Sequence, residues 1–263
     1  MNAFKKIVLA TSLALPITLA AGAVSAANLI ALGDDGTLHK IDSESLSVSA
    51  SMSVEGATDL RGIDVRPADG KLYALGGGDQ LYTLDLGTGQ ATAGAKLKMQ
   101  LPGAGQALMD FNPVADRLRL LAADGTNFRV NVDNGDVIKD GTVAYAQAGY
   151  QGGYSPDVLT GAYTNSYAGT DKTALYNIDL TSGKLMLQDP PNDGVQKTVA
   201  ELSMSVDHAA MDIASDGKGA NTAYVLTGTT LHTLDLGTGS LTTLGEIANL
   251  PGNIIDIAVL PAM

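Results

Sequence analysis

The chain has 263 residues, of which 28 are acidic, 16 are basic and none is cysteine, giving a formal net charge of −12. The lack of cysteine excludes disulfides, a thiolate nucleophile and thiolate metal ligands. The acidic balance argues against nucleic acid and anionic lipid surfaces as partners.

The first 26 residues have the pattern of a signal peptide. Lys5 and Lys6 precede an apolar run over residues 7–21, and Val24-Ser25-Ala26 is a small-residue cleavage site. The apolar run contains Pro16 and is short for a membrane span. We therefore predict cleavage after Ala26, export to the periplasm or the cell exterior, and one domain over residues 27–263 that does not insert into a membrane.

A five-residue phrase with alternating apolar and polar residues, ending in Asp or Asn, returns five times in the predicted domain. The copies are residues 38–42, 81–85, 127–131, 175–179 and 231–235, and a Gly-containing turn follows most of them. A period of roughly 45–55 residues, built from short strands and tight turns, is typical of a β-propeller. We predict that the Asp and Asn side chains cap these turns, and that His39 and His232 pack where other copies carry an aromatic residue.

A second phrase marks the first strand of each repeat, at residues 62–67, 108–113, 210–215 and 254–259. A degenerate copy at residues 152–156 has Gly153 where the others carry Asp. In the second repeat the pattern predicts strands at 62–66, 71–75, 80–85 and 90–97. Residues 186–199, which include two adjacent prolines, break this pattern and are predicted to form an extended surface loop.

The two ends of the predicted domain complement each other. Residues 28–32 form a second strand without a first, and residues 254–260 form a first strand with nothing after it. Joined, they complete one blade and remove the open sheet edges. The sequence therefore predicts an all-β, five-bladed β-propeller closed by pairing the C-terminal strand with the N-terminal strands; a six-bladed propeller is the alternative.

The first-strand phrase carries four equivalent carboxylates, Asp64, Asp110, Asp212 and Asp256. First strands line the channel of a propeller, so these groups could converge and share a cation such as Ca²⁺. Alternatively, each accepts hydrogen bonds from the backbone of the adjacent blade, and no cofactor is needed. We expect the second arrangement.

Candidate ligand-binding residues lie on the loops that enter the first strands and in residues 145–167, a stretch rich in tyrosine. They are Arg61, Gln106, Tyr150, Tyr154, Asn165, Tyr167, His208 and Asn253. Rigid aromatic rings together with amides and an arginine are typical of a ligand surface. The sequence favours a monomeric binding module for a protein, glycan or small molecule, with no catalytic residue assigned.

Two other functions stay open. One is a calcium-dependent hydrolase or lyase at the channel mouth, with His208 as general base. The other is a structural component of an extracellular matrix.

Four segments, residues 62–76, 110–120, 162–169 and 188–194, resemble the hallmarks of a bacterial family of exported proteins, the "domain of unknown function 4394". The resemblance covers essentially all of the predicted domain. It implies a propeller-like exported domain and brings no activity, substrate or site residue.

Overall fold

The computed structural model describes residues 27–146 and 155–261, which form five sheets, or blades. Blade 1 begins with β1 (Asn28–Gly33), β2 (Thr37–Asp42) and β3 (Ser47–Ser53). Blade 2 consists of β4 (Gly62–Val65), β5 (Leu72–Gly76), β6 (Gln80–Leu84) and β7 (Ala91–Lys96). Blade 3 consists of β8 (Leu108–Asn112), β9 (Arg117–Leu121), β10 (Asn127–Asn131) and β11 (Asp136–Lys139).

Blade 4 has five strands, β12 (Ala144–Tyr145), β13 (Thr160–Tyr163), β14 (Leu175–Asp179), β15 (Lys184–Gln188) and β16 (Val195–Glu201). Blade 5 consists of β17 (Ala210–Ser215), β18 (Asn221–Thr227), β19 (Thr230–Leu234) and β20 (Leu241–Glu246). The last strand, β21 (Ile254–Val259), returns to blade 1.

The innermost strands form a closed ring. In the order β21, β4, β8, β13 and β17, each contacts the next, and β17 contacts β21 again. The closure is made by β21, which pairs antiparallel with β1, so that Leu29 lies opposite Val259. The prediction of a five-bladed propeller closed by its two ends is confirmed, and the six-bladed alternative is wrong.

The repeated phrase forms a strand because its apolar residues face the core while its last residue caps a turn. In β6, Leu81 and Leu84 are buried. The carboxylate of Asp85 then accepts hydrogen bonds from the amides of Gly87 and Thr88, at 2.7 and 3.0 Å. Gly89 has a φ of +79°, and a β-carbon there would lie 2.6 Å from the carbonyl oxygen of Ser53.

Several other predictions about the repeat are confirmed. Asp42 and Asp235 cap their turns in the same way as Asp85. His39 and His232 are buried packing residues. The four strands predicted in the second repeat match β4 to β7 within one residue at each end.

Blade 4 departs from the predicted register. Of the predicted first strand, residues 152–154 lie outside the described residues, and Ser155 and Pro156 belong to no strand. The innermost strand is instead β13, so that the repeated phrase in β14 is the second strand rather than the third. Gly161 of β13 lies close to the neighbouring strand β14, because a β-carbon there would lie 2.2 Å from Oδ1 of Asn177.

The predicted loop over residues 186–199 is also wrong. β15 ends within it, a single 3₁₀ turn spans Pro191–Asp193, and β16 begins at Val195. β12 then pairs in parallel with the first two residues of β16, Val195 and Gln196, on its outer edge. In residues 27–146 and 155–261, no helix is long and apolar enough to cross a membrane.

Replacing Ile257 by Ala tests the closure. Ile257 lies on β21, opposite Ala31, and is buried in the core shared by blades 1 and 5. Because the change leaves a cavity, we expect the free energy of unfolding to fall by about 2–5 kcal/mol in urea titrations. The matched control is Ile138→Ala on the outer strand β11, where Ile138 is 54% exposed and the expected change is within about 0.5 kcal/mol. Equal losses in the two variants would contradict the closure.

Candidate functional site

Four buried carboxylates join neighbouring blades. Each aspartate of the first-strand phrase accepts a hydrogen bond from a backbone amide on the innermost strand of the next blade. The pairs are Asp256 with Ile63 at 2.8 Å, Asp64 with Phe111 at 2.6 Å, Asp110 with Tyr163 at 3.0 Å and Asp212 with Val259 at 2.5 Å. The expected structural role of these residues is therefore confirmed at four of the five blade junctions.

The junction between blades 4 and 5 uses a pair of asparagines instead. The backbone amide of Asn165 donates to Oδ1 of Asn221 at 2.7 Å, and Nδ2 of Asn221 donates to Oδ1 of Asn165 at 3.0 Å. Asn165 has a φ of +55°, a backbone conformation that asparagine tolerates better than most residues. Asn165, a candidate ligand contact, thus also joins two blades.

Three of the carboxylates crowd together on the channel axis. One oxygen each from Asp64, Asp110 and Asp212 lies within 4.8 Å of the others. Burial raises the pKa of all three, and for Asp110 the charges of Asp64 and Asp212 raise it further. The pKa of Asp212 rises to about 6. Shared protons relieve this repulsion, and an oxygen-liganded cation such as Ca²⁺ could also be held by the same three groups.

The three aspartates differ in how fully their oxygens are used. Both oxygens of Asp64 and of Asp212 accept backbone hydrogen bonds. Asp110 uses only Oδ1, and among the described residues nothing donates to its Oδ2. Asp256 is buried like the others but does not belong to the close group of three.

Four predicted ligand residues lie at the end of the propeller where the chain enters the innermost strands, which we call the entry end. Arg61 is buried and donates to the carbonyl oxygens of residues 101, 102 and 105. Gln106 donates to the carbonyl of Leu159 at 3.2 Å. His208 is exposed, and its Nε2–H donates to the carbonyl of Ile254 at 2.7 Å, next to Asn253.

The remaining predicted ligand residues do not join this group. Asn165 and Tyr167 follow β13 at the opposite or exit end. Asn165 bonds Asn221, which begins β18, and the amide of Tyr167 donates to the carbonyl of Asn165. Tyr150 and Tyr154 lie outside the described residues. The structure therefore divides the predicted set between the two ends of the propeller.

A groove between blades 3 and 4 opens at the exit end and encloses about 400 Å³. We call it the blade 3–4 groove. One wall is the turn after β8, the other is the loop before β14, and the end of β15 closes the side. The lining residues are Asn112, Val114, Ala115, Tyr163, Asp171, Lys172, Thr173, Ala174, Leu175, Leu187, Gln188, Asp189 and Pro191. Only Tyr163 falls within the stretch rich in tyrosine from which candidate ligand residues were predicted.

A buried polar network supports the groove from behind. Among the described residues, Arg119 is the largest fully buried side chain, and it donates to the Tyr163 hydroxyl, to Oδ2 of Asp140 and to Oδ1 of Asn192. Arg129 donates to both oxygens of Asp140. Burial would raise the pKa of Asp140, but hydrogen bonds from Arg129 and Arg119 hold it below the ordinary value.

Asp110→Asn tests the crowding of the carboxylates. The variant keeps an oxygen for the Tyr163 amide and removes a carboxyl whose pKa is raised above 3.8. When the pKa of a carboxyl is higher in the folded than in the unfolded protein, the protein keeps its full stability below the unfolded-state pKa. It loses stability as the pH rises through the folded-state pKa. In urea unfolding we therefore expect D110N to be more stable than the wild type at pH 8, with the advantage disappearing toward pH 4.

The matched control is Asp64→Asn, because Asp64 uses both oxygens as acceptors. At pH 4, D64N should be less stable than the wild type by about 1–3 kcal/mol, since one amide loses its acceptor. Equal stability of D110N and the wild type at pH 8 would contradict the account. A bound Ca²⁺ would appear differently: a chelator would destabilise the wild type and leave D110N unchanged.

The propeller is similar in fold to two crystal structures of low sequence identity. A protein of unknown function from Bacteroides thetaiotaomicron VPI-5482 is 15% identical with a TM-score of 0.55, over 90% of this chain and 67% of that chain. An auxiliary nutrient binding protein from Bacteroides ovatus ATCC 8483 is 16% identical with a TM-score of 0.50, over 75% of this chain and 53% of that chain.

At these identities the likeness shows the fold alone. No curated protein matches the sequence. The family described as "Domain of unknown function (DUF4394)" matches residues 37–258, which run from β2 through most of β21. The chain belongs to this family.

Proposed function

We propose that the protein is an exported binding module that holds a small molecule in the blade 3–4 groove. The observation that carries the proposal is the groove itself, a concave space of about 400 Å³ between two blades. Ligand pockets of proteins occupy roughly 300–1,000 Å³ and combine apolar walls with a few polar groups. Export is supported by the signal-peptide pattern of residues 1–26.

The composition of the groove supports binding of a small molecule. Val114, Leu175, Leu187 and Pro191 supply apolar surface on three sides. Its shape is held by hydrogen bonds within the protein, because the buried Gln188 donates to the carbonyl of Pro191 at 2.7 Å. A preformed groove loses less conformational freedom when a ligand binds.

The entry end offers less to a ligand. The guanidinium of Arg61 is buried against three carbonyl groups, and the amide of Gln106 and the ring of His208 each bond the backbone of another blade. These groups hold the loops in place, and a ligand would have to compete for them. A face contact that includes Tyr150 and Tyr154 stays a prediction.

A calcium-dependent hydrolase or lyase is the second candidate function, favoured by the three carboxylate oxygens within 4.8 Å on the channel axis. The two functions differ in where the ligand binds, the groove or the channel, and in whether a metal ion is required. Binding in the groove should survive a chelator, whereas hydrolysis at the channel should not. A matrix component would instead self-associate, while we expect a monomer.

Filling the groove tests the proposal. Ala115 is an exposed residue on the groove wall, so Ala115→Trp should occupy the space without disturbing the core. The matched control is Ala168→Trp, an exposed alanine in the loop before β14 that does not line the groove. The measurement is the thermal shift of each protein with a defined library of amino acids, mono- and disaccharides, short carboxylic acids and primary amides.

We expect a library compound to stabilise the wild type and A168W, and its affinity for A115W to fall at least about tenfold because the two compete for one space. Binding that is unchanged in A115W would place the ligand elsewhere and contradict the proposal. The same conclusion follows if no compound in the library binds.

A further inference from the structure

We propose that the ligand of the blade 3–4 groove is a small organic anion, an apolar body that carries a carboxylate. This inference rests on the proposed function, because it names the class of molecule that the same groove takes. It follows from the charges behind the groove, from an unused donor on its floor and from the apolar walls.

The charged side chains behind the groove carry a surplus of positive charge. Arg119 and Arg129 both pair with Asp140, at 2.6 Å from each guanidinium to Oδ2. The side chains of Arg119 and Asp140 are 1% and 5% exposed, and Arg129 is 30% exposed. Two guanidinium groups, of which that of Arg119 is fully buried and that of Arg129 is partly exposed, thus share one buried carboxylate. An uncompensated charge is costly away from solvent. An anion nearby would offset the remaining positive charge.

A hydrogen bond between Arg119 and Tyr163 links that charge to the groove. Tyr163 lines the groove, and its hydroxyl oxygen accepts a hydrogen bond from Nε of Arg119 at 3.2 Å. Within residues 27–146 and 155–261 the hydroxyl makes no hydrogen bond as a donor, so its hydrogen is left to donate. A carboxylate oxygen is the acceptor that forms the stronger, charge-assisted bond with such a donor.

The charges at the rim of the groove offset one another, and its walls are apolar. Asp189 is paired with Lys197 at 2.6 Å, and Asp171 and Lys172 are neighbours of opposite charge exposed at the rim. The charge balance is therefore set by the buried side of the groove, where it is positive. The apolar walls favour an aryl or alkyl body over a neutral sugar, whose hydroxyl groups would need more polar partners.

The experiment compares carboxylic acids with their own primary amides, which have nearly the same shape without the charge. The probes are benzoate and benzamide, phenylacetate and phenylacetamide, and hexanoate and hexanamide, titrated at pH 7 by ligand-observed NMR. We expect the acids to bind about tenfold more tightly than the amides. A115W should bind neither the acids nor the amides. That result would show that both classes bind in the groove.

Two variants test the residues involved. Tyr163→Phe removes the donor and should weaken the acids about tenfold, and the amides by less, because an amide oxygen accepts only the weaker, neutral hydrogen bond. Its matched control is Tyr176→Phe on β14, a tyrosine that does not line the groove. Y163F also removes the acceptor of a hydrogen bond from buried Arg119, so a second variant is needed. Arg129→Gln keeps Tyr163 and removes the surplus positive charge. It should weaken binding of the acids and leave binding of the amides unchanged.

The outcomes are distinct. If amides or sugars bind the groove as well as the acids do, or in their place, the anion inference is wrong and the groove remains a binding site. If neither the acids nor any compound of the wider library binds in a way that A115W abolishes, both the inference and the proposed function are wrong. Acid affinity that is unchanged in both Y163F and R129Q also overturns the inference.

Discussion

The hydrogen bond from an aspartate on one innermost strand to a backbone amide on the next is the interaction on which the propeller depends. Innermost strands have a partner strand on one side only, so amides on the other side need another acceptor. Four carboxylates meet that need and join blades that share no sheet. Burial raises the pKa of all four aspartates, and the charges of neighbouring aspartates raise the pKa of Asp64, Asp110 and Asp256 further.

Blade 4 departs from this rule, and the groove lies beside it. Its innermost strand carries Gly161 and Ala162 and no aspartate, and Asn165 and Asn221 make the junction to blade 5. The long connection from β13 to β14 and the turn after β15 provide two sides of the groove. We infer that the regular blades supply a rigid frame, and that the irregular blade supplies the surface on which selectivity for a ligand can be built.

The features that recur in every repeat could be predicted from the sequence, whereas the irregular features of blade 4 and the groove could not. Strand positions, turn caps, the closure and the packing of His39 and His232 follow from alternation and from alignment of the copies, which are local signals. The predicted register of blade 4 was wrong because its first-strand copy is degenerate, and because β13, which takes the innermost position, lacks the aspartate of the other innermost strands. The groove could not be predicted, since Arg119 reaches Tyr163 and Asn192, 44 and 73 residues away, and no local pattern encodes such contacts.

Amide hydrogen exchange tests the carboxylate-to-amide bonds most directly. We expect the amides of Ile63, Phe111, Tyr163 and Val259 to exchange as slowly as amides inside the sheets, although their acceptors are side chains. Asp64→Ala should accelerate exchange at Phe111 more than at Ile63, whose acceptor is Asp256. Exchange of these four amides at the rate of the exposed turn amide of Gly217 would contradict a structural role for the carboxylate-to-amide bonds.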